Sequence, residues 1–298
     1  MRLTLVTPTF NAERYLAEAI QSVRAQGWPD LEHIVVDGGS TDHTLDLVRG
    51  EPQTRVVSEP DKGLYDAINT GVRLATGHAI GFLNADDLLE PGALEAIAAG
   101  FAGAPKAQMV SGGAEVFRTT AAGSETLIHV NDHGAKHLRE QDVIHGAPIL
   151  NARFFRRSFL EEVGPFDIRW RRCADFDLLM RVLHLAPERA TVDQVVYRSR
   201  AHPDSLTFRG GLEVELTDEQ LALCAARLAE TVGDPRLHRR YRRWHSWESA
   251  YLAWRRLRRH QPRAAVDALA RGIAVDPLLP AVVPVQIAQH LRMRAQHR

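Results

Sequence analysis

The stretches VVDGGSTD at residues 35–42 and GFLNADD at residues 81–87 decide the fold of this chain. Each is a short apolar run that stops abruptly at carboxylates. Across residues 3–101, apolar runs of this kind alternate with segments of helical spacing, a pattern that predicts parallel βαβ units. Because ligands bind beyond the carboxyl ends of the strands in such a sheet, we expect both acidic turns to lie at one ligand-binding edge.

The predicted elements follow one another through short turns. Pro8 is expected to end the first strand, and Gly27 and Gly77 are expected to end the first and third helices. The predicted strands are residues 3–7, 33–40 (including a glycine turn), 54–58 and 78–84, and the predicted helices are residues 12–25, 42–48, 65–76 and 91–101.

The composition is that of an ordinary globular protein. Of the 298 residues, 45% are apolar and 25% are charged, and basic and acidic residues balance at 37 each, which argues neither for nor against nucleic acid. Cys173 and Cys224 follow no metal-binding spacing and fit a reduced compartment. The first residues turn polar too quickly for a signal peptide, and no apolar run of about 18 residues occurs. We therefore expect a cytoplasmic protein without a membrane-spanning helix.

The motifs at the strand ends narrow the class of ligand. TPTFN follows the first strand in place of GxGxxG, and no GxxxxGK[ST] occurs, so neither a dinucleotide cofactor nor a P-loop is expected. The adjacent acids Asp86 and Asp87 repel each other unless a cation lies nearby. A hard divalent ion that also binds diphosphate oxygens would satisfy both. The alternative is a pair of solvated acids before a helix N-terminus, which is favourable in its own right.

The order and spacing of these motifs resemble the amino-terminal half of family 2 glycosyltransferases, which are inverting enzymes of the GT-A fold. The resemblance covers residues 3–92, and residues 145–182 resemble the acceptor side of the same family. It implies an α/β fold with a GT-A-like, Rossmann-type, mainly parallel sheet and flanking helices. The implied catalytic domain is 1–212, with a nucleotide-sugar half at 1–110 and an acceptor half at 111–212, and residues 213–298 form a helical C-terminal extension.

The resemblance also implies a donor site. Asp37 matches the first acid of the family's DDGS turn near the base, but Gly38 replaces the second acid, which weakens the case for a uridine donor. Lys62 is placed to approach the donor phosphates, with a plain surface lysine as the alternative. Asn84 can hydrogen-bond a ribose hydroxyl. The segment expected to pack against base and ribose is Pro8, Thr9, Phe10 and Asn11.

The resemblance also implies a metal site and a general base. Asn84-Ala85-Asp86 matches the DXD motif, so Asp86 is the expected direct ligand of Mn²⁺ or Mg²⁺, with Asp87 beside it. Asp175 holds the position of the general base, although it could be only a helix cap. Asp177, two residues on, is expected to be a helix-start acid.

Two further stretches match the family more loosely. His145 lies where relatives carry a histidine near the acceptor, and a structural histidine is the alternative. Residues 198–209 hold the place of a loop over the donor, where Arg198, His202 and Ser205 could meet the diphosphate; a surface loop is the alternative.

The C-terminal extension contains an arginine-rich arm. Residues 236–263 hold ten arginines and one acid, with tryptophans at 244, 247 and 254. Either the aromatic residues pack inward and the arginines are solvated, or the arm touches an anionic membrane. No recognised motif for nucleic acid accompanies the charge, so nucleic acid is not an expected partner.

The sequence thus predicts a metal-dependent inverting glycosyltransferase. Its donor would be a nucleotide-diphosphate sugar, and its acceptor the hydroxyl of a glycan or lipid-linked saccharide, as in cell-envelope polysaccharide biosynthesis. Two alternatives stay open. One is a nucleotidyltransferase, although the glycine-rich basic loop usual in that class is missing after the first strand. The other is a non-catalytic nucleotide-sugar-binding or scaffold protein, suggested by Gly38, Asn84 and Ala174.

Overall fold

The structure, a computed structural model, describes residues 1–51, 53–120, 124–131, 136–145, 149–205 and 212–279. The chain divides into two compact units. The first unit comprises Met1–Arg139 and Ala147–Phe208, and the second comprises Glu140–Gly146 and Arg209–Arg298.

The first unit is a sheet with flanking helices. Its strands are β1 (Leu3–Thr9), β2 (Leu31–Asp37), β3 (Thr54–Ser58), β4 (Ala79–Phe82), β5 (Leu88–Leu89), β6 (Met109–Thr119), β7 (Glu125–Asn131), β8 (Arg153–Arg156) and β9 (Arg189–Arg200). Its helices are α1 (Leu16–Arg24), α2 (Thr44–Val48), α3 (Leu64–Leu74), α4 (Ala93–Gly103), α6 (Arg157–Val163) and α7 (Ala174–Leu185), with a 3₁₀ turn at Leu150–Ala152.

The sheet has the strand order β3-β2-β1-β4-β8-β6-β9-β5, and β7 pairs with β6. Strands β1 to β4 run parallel to one another, which confirms the βαβ units predicted for the first half of the chain. Beyond β4 the directions mix. β8 runs antiparallel to both β4 and β6, whereas β9 is parallel to β6 and antiparallel to β5. The carboxyl ends of β1, β2 and β3 therefore meet at one edge.

The first strand continues through Pro8 to Thr9, so the prediction that Pro8 ends it was wrong. The register explains why proline is tolerated. The Val6 carbonyl accepts a hydrogen bond from the Leu83 amide on the β4 side, and the Thr9 carbonyl accepts one from Gly38 on the β2 side. Pro8 therefore faces the β4 side, where pairing has already ended at Phe82. No ladder donor is required there.

The core lies where the inner strands meet the helices. Every residue of β1 and β2 is buried, because helices cover both faces of the parallel part of the sheet. Helix α1 adds an apolar stripe at helical spacing, formed by Leu16, Ala19, Ile20 and Val23. This rigid core supports the polar turns that follow the strands.

The second unit is helical. It contains α5 (Glu140–His145), α8 (Leu212–Glu230), α9 (Pro235–Arg258) and α10 (Pro262–Val275). Helix α9 begins where the Asp234 side chain accepts hydrogen bonds from the amides of Arg236 and Leu237, with Pro235 in the first turn. Trp244 and Trp247 are buried, so these aromatic residues of the arm pack inward. Across the described ranges, no helix combines the length and apolar character needed to cross a membrane.

Candidate functional site

The strand ends form a polar edge on the first unit. β1 ends at Thr9, β2 at Asp37 and β3 at Ser58, in neighbouring positions of the sheet. The turn that contains Asp86 follows β4 beside them. This is the edge at which a parallel sheet binds ligands.

Asp37 organises the first acidic turn from inside. Its carboxylate is fully buried and accepts hydrogen bonds from the hydroxyls of Thr9, Ser40 and Ser58 and from the amides of Gly39 and Ser40. Burial alone would raise the pKa of Asp37, but these hydrogen bonds outweigh it and hold the pKa below its usual value. Because five donors already occupy the carboxylate, the role of Asp37 is to fix the conformation of the turn and not to bind a ligand directly.

Asn11 ties the end of β1 to the same turn. Its side-chain oxygen accepts a hydrogen bond from the Thr41 amide at 2.9 Å, and its own amide donates to the Ser40 hydroxyl at 2.8 Å. Asn11 adopts a φ of 48°, in the left-handed region that asparagine tolerates. The preceding residue, Phe10, is 63% exposed, so its ring is available at the edge of the sheet.

The two neighbouring acids of the second turn have different surroundings. Asp87 is buried and accepts hydrogen bonds from the Tyr197 hydroxyl, from the Arg200 amide at 2.7 Å and from the Asn84 side-chain amide at 3.0 Å. Burial and the charge of Asp86 raise the pKa of Asp87 to about 7 in spite of these donors. Asp87 therefore fastens the turn to the end of β9.

Asp86 faces a histidine instead. Its Oδ2 atom lies 2.9 Å from His202 Nε2, and its side chain is about one-third exposed. The other ring nitrogen, Nδ1, is buried without a hydrogen-bond partner among the residues whose positions are described. The ring also packs against Tyr15, with centroids 4.9 Å apart. Nε2 is thus the ring nitrogen through which His202 contacts Asp86.

Arg200 holds this corner together, a role that the sequence analysis missed. Its guanidinium donates to the Asp86 carbonyl, to the Thr119 hydroxyl and to the Glu18 carboxylate at 2.6–3.0 Å. It also lies 4.7 Å from the centroid of the Tyr15 ring. The only signal in the sequence was a basic residue two positions before His202, and nothing there indicated its partners.

Asp175 lies in the first turn of α7, where the helix dipole favours a carboxylate. The Tyr65 hydroxyl donates to its Oδ1 at 2.9 Å. Burial and the adjacent charge of Asp175 raise the pKa of Tyr65, so that hydroxyl stays protonated. The Tyr65 ring stacks on Phe166, and Asn69 of α3 exchanges two hydrogen bonds of 2.9 Å with the Phe166 backbone. Helix α3 therefore sets the position of the carboxylate.

Asp177 differs from Asp175 in its surroundings. It is fully buried and pairs with Arg181 Nε at 3.1 Å. Arg181 in turn donates to the carbonyls of Val163, Gly164 and Pro165. This network joins α7 to the end of α6, so Asp177 contributes to the fold of the region that carries Asp175.

The remaining predicted residues are not all brought to this corner. Lys62 is exposed, and its ammonium group has no partner in the described part of the chain. Arg198 pairs with Glu90, Glu115 and Glu125. The Ser205 amide donates to the carbonyl of His202. The side chain of His145 lies outside the described residues, as do residues 206–209 of the predicted loop.

The donor set of the corner suits a divalent ion. No group of three or more His, Cys, Asp or Glu residues able to hold a metal occurs among the described residues. Asp86 and His202 supply one oxygen and one nitrogen, which leaves the remaining positions of an ion for a ligand. Adjacent ligands of an octahedral ion, each at about 2.1 Å, lie about 3 Å apart. The observed separation of 2.9 Å is that of an ordinary hydrogen bond and is also compatible with that spacing.

Comparison with known proteins agrees with this architecture. The sequence model described as "Glycosyl transferase family 2" matches residues 4–164. A "PGL/p-HBAD biosynthesis glycosyltransferase" of Mycobacterium bovis is 33% identical over 187 residues, which cover 60% of this chain and 68% of the relative.

Two solved structures share the fold. Staphylococcus aureus TarS 1-349, in complex with UDP-GlcNAc, has a TM-score of 0.67 at 16% identity and covers 98% of this chain and 90% of its own. The mannosyltransferase PcManGT of Pyrobaculum calidifontis, in complex with GDP-Man and Mn²⁺, has a TM-score of 0.61 at 20% identity, over 100% of this chain and 82% of its own. The predicted GT-A-like fold class is confirmed.

Proposed function

The chain belongs to glycosyl transferase family 2 and is a glycosyltransferase, and from this premise we propose that it is an inverting, metal-dependent enzyme. Its donor is a nucleotide-diphosphate sugar, and its acceptor is the hydroxyl of a glycan or lipid-linked saccharide. The observation that carries the proposal is the contact between Asp86 and His202 at the carboxyl edge of the sheet. It supports a diphosphate-bound cation at that corner.

Asp86 and His202 would hold the metal. A mixed oxygen and nitrogen donor set suits Mn²⁺ better than Mg²⁺, which prefers oxygen ligands. The bound ion would stabilise the negative charge of the departing diphosphate. Arg200, which donates to the Asp86 carbonyl, keeps the turn in place. The exposed ammonium group of Lys62, in the turn that precedes α3, is available to approach the phosphates.

Asp87 is reassigned within this proposal. The sequence motif predicted that Asp87 would bind the metal beside Asp86. The described contacts support a positioning role instead, because three donors from Asn84, Tyr197 and Arg200 surround the buried carboxylate. Asn84 would likewise act first by holding Asp87, with its own oxygen left for a ribose hydroxyl.

The nucleoside would bind at the ends of β1 and β2. The exposed ring of Phe10 can stack on a base, and stacking is tolerant of base identity because every base has a π-face. Pro8 and Thr9 are buried inside β1, and Asn11 and Asp37 are engaged with the turn. These four residues would therefore shape the subsite rather than contact the base directly.

Asp175 would act as the general base. Inversion requires that the acceptor hydroxyl lose its proton while it attacks the anomeric carbon from the face opposite the diphosphate. The Tyr65 hydroxyl fixes one carboxylate oxygen and so orients the group. Asp177 is a poorer candidate because it is buried and paired with Arg181. His145 stays a predicted acceptor-side residue.

Contact with an anionic membrane forms part of the proposal in a revised form. Trp244 and Trp247 are buried and Trp254 is half-buried, so the tryptophans offer a membrane less apolar surface than the sequence suggested. Exposed arginines of the arm, including Arg236, Arg239 and Arg259, would still be attracted to anionic lipid. Such a contact suits an acceptor carried on a lipid.

The test is donor turnover. The purified protein is incubated with UDP-, GDP-, CDP- and TDP-sugars, with Mn²⁺ or with EDTA, and release of nucleoside diphosphate is measured. We expect release from one donor class, abolished by EDTA. Binding of a donor without release would favour the scaffold alternative. Release of pyrophosphate from a nucleoside triphosphate in the presence of a sugar phosphate would favour the nucleotidyltransferase alternative.

A further inference from the structure

Helix α10 carries two apolar stripes, and only one of them is used within the chain. The inner stripe is formed by Ala265, Ala268 and Gly272, which are all buried. It packs on α9 so closely that a Cβ atom built on Gly272 would lie 2.6 Å from the Cβ atom of Ser249. The outer face of such a helix is expected to carry polar residues, because it faces solvent.

The outer face carries a second apolar stripe instead. Val266, Ala270 and Ile273, which we call the outer stripe, are spaced by four and three residues and therefore lie on one side of α10. All three are exposed, Val266 at 63% and Ile273 at 39%. Single exposed apolar residues are ordinary on a protein surface, but a row of them at helical spacing is typical of a helix that packs against a partner.

A charged flank runs along one side of the outer stripe. It consists of Asp267 and Arg271, each of which follows a stripe residue by one position, so both point to the same side of the helix. Both side chains are exposed, and neither forms an ion pair in the described part of the chain. The other side of the stripe carries the uncharged, half-buried Leu269. The charges of the flank are thus available to a partner.

This surface is complementary to a second copy of itself. When two copies of a helix pack antiparallel, the same side of each faces the other, and positions equally far from the two-fold axis meet. The midpoint between Val266 and Ile273 lies just after residue 269, and the midpoint between Asp267 and Arg271 lies at residue 269. One axis therefore sets each valine against an isoleucine and each aspartate beside an arginine. A parallel pair would set the charged flank against the uncharged side of the other copy.

We propose that the outer stripe of α10 and its charged flank form the contact between two copies of this chain, packed antiparallel about a two-fold axis. The inference goes beyond the proposed function, because it gives the second unit a partner and involves no residue of the proposed donor site. Each ion pair occurs twice in such an interface. One helix face buries less than the roughly 1,600 Å² of a standard interface, so the dimer is weak, with a dissociation constant on the order of 10 µM.

The first experiment is sedimentation velocity of the full chain at concentrations from about tenfold below to about tenfold above that constant. We expect the wild type to shift from monomer to dimer across the range. Val266→Glu should stay monomeric and keep the thermal stability of the wild type, because the side chain is exposed in the monomer. The matched control is Val232→Glu, which changes another exposed valine, in the turn before α9, and should associate like the wild type.

A charge exchange tests the antiparallel arrangement. Asp267→Arg and Arg271→Asp should each weaken association by about tenfold, because two repulsive pairs replace two attractive ones. An equimolar mixture of the two variants should dimerise like the wild type, since every arginine then faces an aspartate of the other variant. A mixture that associates no better than either variant alone would overturn the arrangement.

Three further outcomes would overturn the inference. In the first, the wild type stays monomeric throughout, or Val266→Glu associates as the wild type does. In the second, a monomeric wild type loses thermal stability on Val266→Glu, which would show that the chain's own residues cover the stripe. In the third, a monomeric wild type floats with neutral vesicles and Val266→Glu does not, which would assign the stripe to lipid. Donor turnover tests the proposed function separately in every case.

Discussion

His202 Nε2 lies 2.9 Å from Asp86 Oδ2, although the two residues are 116 positions apart in the chain. The contact exists because β9 is inserted between β6 and β5 and brings its carboxyl end to the turn after β4. The pair combines an acid typical of diphosphate sites with a nitrogen ligand. Together they form the polar corner on which the proposed metal site depends.

Replacing either member of the pair should remove metal-dependent donor binding. We expect Asp86→Ala and His202→Ala to lower the affinity for the preferred nucleoside diphosphate in Mn²⁺ by about a hundredfold or more, with thermal stability close to that of the wild type. Titration calorimetry with and without Mn²⁺ measures the effect. His43→Ala, which alters an exposed histidine paired with Asp46, is the matched control. Wild-type affinity in both site variants would remove the metal from this corner.

The hydroxyl of Tyr197 should stabilise the fold in a pH-dependent way. It donates to the Asp87 carboxylate, whose pKa is raised by burial to about 7. The Asp87 carboxylate is therefore mostly ionised only above about pH 7. Loss of the Tyr197 donor destabilises the fold most when that carboxylate is charged. We expect Tyr197→Phe to lower the free energy of unfolding by about 2 kcal/mol at pH 8 and by less at pH 5. Equal losses at both pH values, measured by urea unfolding, would contradict the role given to Asp87.

Glu248 makes the second unit sensitive to pH. Burial raises the pKa of Glu248 to about 8, and Trp244 donates to its side chain at 3.2 Å. The pKa of Glu248 is higher in the folded state than in the unfolded state. The unfolded state therefore ionises first, and the wild type loses stability as pH rises from about 4.5 to about 8. The upper limit of this loss is about 1.4 kcal/mol per unit of difference between the two pKa values. Glu248→Gln keeps an acceptor for Trp244 and removes the charge.

The comparison is made by denaturant unfolding at pH 5, 7 and 9. We expect Glu248→Gln to match the wild type at pH 5 and to exceed its stability increasingly at higher pH. Glu59→Gln, which changes an exposed side chain, should follow the wild-type pH dependence throughout. A variant curve parallel to the wild type would show that Glu248 does not titrate in this range.

The first four strands and the helices between them could be predicted, because local sequence patterns determine them. The first four strands lie close to their predicted positions, and residues 54–58 match β3. Apolar period, glycine stops and short connections are enough to predict βαβ units, because each unit is closed by its neighbours in the chain. The error at Pro8 arose because the effect of a proline depends on which side of the strand faces a partner.

The contacts of the site were less predictable because they join distant parts of the chain. The sequence indicated that His202 could meet the diphosphate, but not that it would face Asp86. It gave no sign that Tyr197 and Arg200 enclose Asp87, since these contacts follow from the mixed order of β5, β6 and β9.

The arm should bind anionic vesicles mainly through charge. Because Trp244 and Trp247 are buried, we expect flotation of the full chain with anionic liposomes at low salt and its loss at high salt. Replacing Arg236, Arg239 and Arg259 with glutamine should weaken flotation several-fold. The matched control removes the same charge from exposed positions of the first unit, with Arg55, Lys106 and Arg118 changed to glutamine. Equal flotation of both triple variants would exclude the arm as the membrane contact.

The division of work between Asp86 and Asp175 is tested most directly by Asp175→Asn, with donor binding and turnover measured on the same preparation. We expect wild-type affinity for the nucleotide-sugar in Mn²⁺ and turnover reduced by about a hundredfold or more, as is typical when a general base is lost. Wild-type turnover in Asp175→Asn would show that the base lies elsewhere.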